Sequence, residues 1–149
     1  MAANLSQTFP LTPNIGYSRI SIANVARDGS GTASGVGGTA ANIYTTYTPG
    51  ANGDIVLRFT VTDSDPTSSS TSLAQVVRFF IKPTGVTASL YKELLMPAVA
   101  GTTGALSGTI NYTIPGGIYV PTGSTIVTTA TLATATTGQV DVVIEGISY

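Results

Sequence analysis

Apolar residues nowhere in this 149-residue chain recur at i, i+3 and i+4 over several turns; where they have a period, the period is two. The run Gly53-Asp-Ile-Val-Leu-Arg-Phe-Thr-Val-Thr62 shows this best. As one regular strand it sends Ile55, Leu57, Phe59 and Val61 to one face and Val56, Arg58, Thr60 and Thr62 to the other. Two more segments follow it, Gln75-Val-Val-Arg-Phe-Phe-Ile-Lys82 and Leu90-Tyr-Lys-Glu-Leu-Leu-Met96. Together the three hold Arg58 and Arg78, three of the four Phe and both Lys. The remainder reads as thinner, Thr-rich strands around them: Tyr17–Val25, Ala41–Thr48, a strand presenting Leu106, Ile110, Tyr112 and Ile114, a short Ile118–Pro121, Ser124–Ala133, and a last strand with Val140, Val142 and Ile144 on one face. Pro49-Gly50, Asn52-Gly53 and Pro115-Gly-Gly117 punctuate them as turns. Ser89–Met96 is the best helix candidate and still reads as strand.

About eight short strands without helices imply one all-β domain, a single antiparallel β-sandwich of jelly-roll type rather than an immunoglobulin one. Residues 1–16 stand apart. Pro10, Pro13 and Gly16 oppose regular structure there. The expectation is an extended N-terminal arm over 1–16, ahead of a sandwich over 17–149. Leu5, Phe9, Leu11 and Ile15 on that arm need an apolar neighbour, either the domain's own flank or another subunit.

Composition removes several functional classes. Charged residues make up 9% of the chain, against about 25% in an average domain. The polar surface is therefore hydroxyl and backbone. A net charge of −1 gives no field to draw nucleic acid, and no apolar run approaches the roughly 18–20 residues that span a bilayer. With no Cys and no His, disulfides, thiol nucleophiles and the commonest general base and metal ligand are all absent. The opening Met-Ala-Ala-Asn-Leu-Ser has neither a basic nor an apolar leader pattern, so an intracellularly made, mature N-terminus is expected.

The possible chemical sites are few. Asp28–Gly38 is glycine-rich but lacks the Gly-Lys-Ser/Thr ending and the Gly-x-Gly-x-x-Gly order of phosphate loops, so it reads as a surface loop. Asp63 and Asp65 are a candidate hard-cation pair, though Asp-x-Asp is common in turns, where Asp bonds its own backbone. Any carboxylate-based hydrolysis would need two of the seven acids facing each other. Arg58, Arg78, Lys82 and Lys92 fall opposite the apolar face, and Asp141 and Glu145 face outward on the last strand. This reads as a solvated face with cross-strand ion pairs, or as a strip that docks on a partner. Tyr44, Tyr47, Tyr112 and Tyr119 would make a stacking platform for sugar only if they met. The stretches Thr39–Thr48 and Ser124–Ala133 carry no charge to block edge pairing, so both are expected to be edges covered in an assembly.

Ile55-Val-Leu-Arg-Phe-Thr-Val, Val76-Val-Arg-Phe-Phe-Ile-Lys, Leu90-Tyr-Lys-Glu-Leu-Leu and Val140-Asp-Val-Val-Ile-Glu-Gly-Ile-Ser-Tyr149, with the opening Met-Ala-Ala-Asn-Leu and Phe9-Pro-Leu-Thr-Pro13, resemble small head-gene proteins of tailed bacteriophages. These are capsid decoration or other virion proteins. The resemblance implies a non-enzymatic structural protein on the outer capsid surface, partnered by the major capsid protein and made in the host cytoplasm. It implies a homo-oligomer, trimer or dimer, with no catalytic residues, cofactor, nucleic acid or membrane. The rival expectations are a receptor- or glycan-binding fibre head and a carboxylate-based hydrolase.

Overall fold

A computed structural model describes residues 11–24, 26–31, 42–63, 74–98, 108–131 and 139–149. Among these the chain is all-β, with eight strands: β1 Thr12–Ile20, β2 Tyr44–Tyr47, β3 Asp54–Asp63, β4 Gln75–Pro83, β5 Ser89–Met96, β6 Thr109–Val120, β7 Ser124–Ala130 and β8 Val140–Ser148. They form two antiparallel four-stranded sheets, ordered β1-β8-β3-β6 and β2-β7-β4-β5. The order follows a simple rule. β4 pairs with β5 across the Thr84-Gly85 turn, then β3 with β6, β2 with β7 and β1 with β8, each pair enclosing the one before. Two further ladders, β3 to β8 and β4 to β7, knit the nested pairs into sheets.

The sheets pack over one core. Ile20, Val56, Phe59, Val61, Val140, Val142 and Ile144 come from the first sheet, and Val77, Phe79, Leu94, Met96, Ile126 and Ala130 from the second. The rings of Phe59 and Phe79 stack between them, 4.1 Å apart and 5° from parallel. Burying each such side chain contributes about 1.5–3 kcal/mol.

Four expectations are corrected. The alternation in β3 does not run unbroken, because its register shifts between Val56 and Arg58 against both neighbours. Against β8 Leu57 is the extra residue, whereas β6 sets the four residues Ile114–Gly117 opposite it. The bulge resets the alternation. Val56, Phe59 and Val61 are buried, while Ile55 is half-buried and Leu57 and Arg58 both face solvent. Pro115-Gly-Gly117 accordingly does not turn the chain; β6 runs through it, with Gly116 and Gly117 at φ values of 74° and 72° that side chains resist.

Residues 12–16, expected in the arm, are the first half of β1 and pair with β8. Residues 1–10, including Leu5 and Phe9, lie outside the described residues. β2 is an edge strand as expected, but β7 is not. Ser124–Ala130 pairs with β2 on one side and β4 on the other, so its uncharged Thr residues are interior rather than an exposed edge.

Candidate interaction surface

The two outer faces of the structure are unequal. Behind the second sheet, Asn24 and residues 26–31 lie across β4 and β7. Asn24 N–H donates to Ala130 O at 2.8 Å, and Phe80, Val127 and Ile43 make a small second core beneath. The approach is close: a side chain at Gly29 would collide with Ala88 and the Phe80 ring. Arg78 points into this layer and is only 4% exposed. Its Nε donates to Glu93 at 2.8 Å, and Nη1 reaches the carbonyls of Asn24 and Ala26 at 3.4 and 3.5 Å. That hydrogen bond, with Arg27 3.8 Å away, holds the Glu93 carboxyl below its ordinary range. Arg78 thus departs from the solvated face expected for it, because the chain folds back over its strand.

No described residue covers the first sheet in this way. The strand registers lay its outer side chains out in four rows across β6, β3, β8 and β1. The first is apolar: Tyr119, Ile55, Ile147, Pro13. The second is Thr113, Arg58, Glu145, Ile15. The third is Asn111, Thr60, Val143, Tyr17, and the fourth is Thr109, Thr62, Asp141, Arg19. Two charges of each sign sit here, and all four are paired: Arg58 with Glu145 at 2.6 Å, and Arg19 with Asp141 at 2.8 Å. Tyr17 Oη also donates to Asp141, and this hydrogen bond raises the Tyr17 hydroxyl above its usual value. Thr60 donates to Asn111 at 2.8 Å. The face is neutral and internally satisfied, yet Ile15 is 66% and Tyr17 55% exposed.

Of the residues singled out in sequence, Leu11 and Ile15 are exposed at β1, and Ile15 belongs to this face. Arg58, Asp141 and Glu145 form the cross-strand pairs expected of them. Lys92 caps the Tyr112 ring at 4.2 Å. The four tyrosines form no platform. Tyr47 is buried, Tyr112 lies under Lys92, and Tyr44 and Tyr119 occupy edge strands of different sheets. Asp63 is buried at the end of β3 and Asp65 lies outside the described residues. No group of three or more acids among the described residues is placed to hold a metal. An open depression of about 460 Å³, lined by Asp28, Ser30, Lys82 and Val86 among others, lies at the rim of the covered side.

Nothing in the sequence singles out Asp54, yet it ties the two sheets together. Fully buried at the start of β3, it accepts hydrogen bonds from Tyr47 Oη, from Asn14 Nδ2 at 2.6 Å and from the Gly50 N–H at 2.9 Å. Ser148 adds another. Burial pushes its pKa up, but these donors outweigh it and hold the carboxyl below its usual value. Tyr47 is raised in turn, by burial first and by Asp54 second. Two glycines make room for the arrangement. A Cβ on Gly146 would strike the Tyr47 ring and hydroxyl, and one on Gly16 would strike the backbone of Thr46. Isolated glycines inside strands β1 and β8 were the available signal.

Compared with known proteins, the chain matches no family model and no curated sequence. Its class therefore rests on architecture: an all-β, two-sheet domain in which, among the described residues, one face is covered by the chain itself and the other is left open.

Proposed function

We propose that this chain is a non-enzymatic structural protein of a tailed-phage particle, attached to the outer surface of the capsid through the open face of its first sheet. The observation that carries the proposal is the inequality of the two faces. Among the described residues a segment and a buried arginine cover one sheet, while an apolar row, Tyr119-Ile55-Ile147-Pro13, lies uncovered on the other. A face whose four charges are already paired suits a large, neutral, static contact better than a diffusing charged ligand. The strand order supports the same reading. Nested pairs folded into β1-β8-β3-β6 and β2-β7-β4-β5 are compatible with a jelly roll, the reading we adopt and an architecture frequent in viral capsid and lectin domains. Architecture alone leaves the task open; the resemblance to phage head proteins directs it to the capsid.

On this reading the major capsid protein is the partner, and the chain acts as a homo-oligomer, dimer or trimer, on the virion. Binding the assembled shell more tightly than free subunits would stabilise it by mass action. Leu5 and Phe9 of the arm would add contacts to the shell or a neighbouring copy. The test uses Leu57→Glu and Ile15→Glu together, two exposed positions on the open face. With the fold checked by circular dichroism, co-sedimentation with capsids lacking the native protein should drop at least about tenfold, the cost of burying unpaired charge. The wild-type contact should resist salt, since its charges are internally paired. Undiminished binding by the double variant overturns the assignment of the face.

A further inference from the structure

The Asn52-Gly53 pair, which the fold uses only as a turn, carries reactive chemistry. Gly50–Gly53 is closed by the Gly53 N–H donating to Gly50 O at 3.1 Å, and Gly53 has a φ of 80°. A Cβ there would collide with the Tyr119 ring, so the position excludes the side chain that would shield its backbone nitrogen. Asn52 is exposed, and two contacts hold it: its Nδ2 donates to Tyr149 O at 3.0 Å, and Tyr119 Oη donates to its backbone oxygen at 3.1 Å.

We propose that Asn52 is a site of spontaneous deamidation and that the clasp to Tyr149 sets its rate. The Gly53 nitrogen attacks Asn52 Cγ. An N–C bond forms, the Cγ–Nδ2 bond breaks, and ammonia leaves carrying the proton from the Gly53 nitrogen. Water then opens the resulting five-membered imide at either carbonyl, giving aspartate or isoaspartate. Water enters, ammonia departs and nothing is oxidised. In the closed turn both reacting groups are occupied, the Gly53 N–H by Gly50 and the carboxamide by Tyr149. Reaction therefore requires local opening, and its rate follows the open population. Asn4, Asn14, Asn24, Asn42 and Asn111 are each followed by a residue with a bulky side chain, Leu, Ile, Val, Ile and Tyr, which hinders the same attack.

The product has a structural consequence. An isoaspartyl link lengthens the backbone within the turn and adds a carboxylate beside Tyr119, the first member of the apolar row. It also shifts Gly50, whose N–H donates to Asp54. The modification would thus act as a clock on the open face.

The test is to age the full chain at mildly alkaline pH and constant temperature, mapping peptides by mass and detecting isoaspartate with an isoaspartyl methyltransferase. A variant lacking Tyr149, shown by thermal melting to keep its fold, is aged in parallel. Asn52 should convert several-fold faster than the other five asparagines. Removing Tyr149 should speed it by about two- to tenfold, the net value of one neutral hydrogen bond. Conversion at Asn52 no faster than at Asn111 overturns the site, and equal rates in the two proteins overturn the gating by Tyr149.

Discussion

Asp54→Asn is a nearly isosteric change at a fully buried carboxylate whose described partners are all donors. Tyr47 and Asn14 both donate to Oδ2, while Gly50 N–H donates to Oδ1. An amide keeps one acceptor and replaces the other with a donor. If its oxygen faces Tyr47 and Asn14, its NH₂ confronts the Gly50 N–H; turned round, it confronts two donors. A buried donor left unsatisfied costs about 1–3 kcal/mol, and the surviving bonds lose the strengthening of a charged acceptor. We expect a loss of about 2–4 kcal/mol, a large part of the 5–15 kcal/mol that stabilises a typical domain, and a fall in Tm of roughly 4–16 °C. The pH dependence supplies the second readout. The folded carboxyl titrates below its unfolded value of about 3.9, so its stabilisation is complete above that pH and is lost as pH falls through the folded pKa. Urea unfolding from pH 7 down to pH 2 should show the wild type losing stability below about pH 4, with a shallower slope in the variant. Equal stability at pH 7 together with the same acid slope would refute the account of Asp54 as the tie between sheets.

Two further outcomes follow from close packing. Gly146→Ala should destabilise by about 1–3 kcal/mol in thermal melts, because its methyl meets the Tyr47 ring and backbone that are both held in place; a neutral result would mean that Tyr47 is free to move. Arg78→Met preserves most of the side-chain volume but strips the Asn24 and Ala26 carbonyls of their donor, so hydrogen exchange over residues 24–30 should accelerate by about tenfold, the value of a charged hydrogen bond, and unchanged exchange would show that the segment holds itself. A truncation testing the arm must end before Thr12, since removing Asn14 deletes a donor to Asp54 as well.

The strands were legible because each needed only an alternation of apolar and polar residues, and that information is local. What remained hidden depended on partners distant in sequence. Nothing within Ile55-Val-Leu-Arg-Phe announces a bulge; it arises where Pro115-Gly116-Gly117 on β6 spends extra residues beside Leu57. Arg78 reads as a surface residue until the chain at Asn24 and Ala26 is laid over it. β7 resembles an edge strand because Thr hydroxyls look polar in sequence, yet Thr128 shares hydrogen bonds with Ser18 and Thr46 in the closed corner between sheets. Asp54 follows Asn52-Gly53 and so reads as the tail of a turn. Of the open face, the charged members Arg58, Asp141 and Glu145 were visible. Its apolar row was not, because the bulge decides which way Ile55 points.

The enclosure of each strand pair by the next bears on how the chain can find its fold. Joining β1 to β8 directly would mean closing a loop from Thr12 to Ser148 and meeting nearly the full entropic cost of a long ring. Once β4 and β5 have met across their short turn, β3 and β6 are already brought near, and every later pairing closes only the remaining segments on its two sides. The pairings of greatest sequence separation thus become short-range events when made in order. A circular permutant joined near Thr12 and Ser148 and opened at Thr84-Gly85 would keep the contacts but reverse that order, making the innermost hairpin the last and most distant closure.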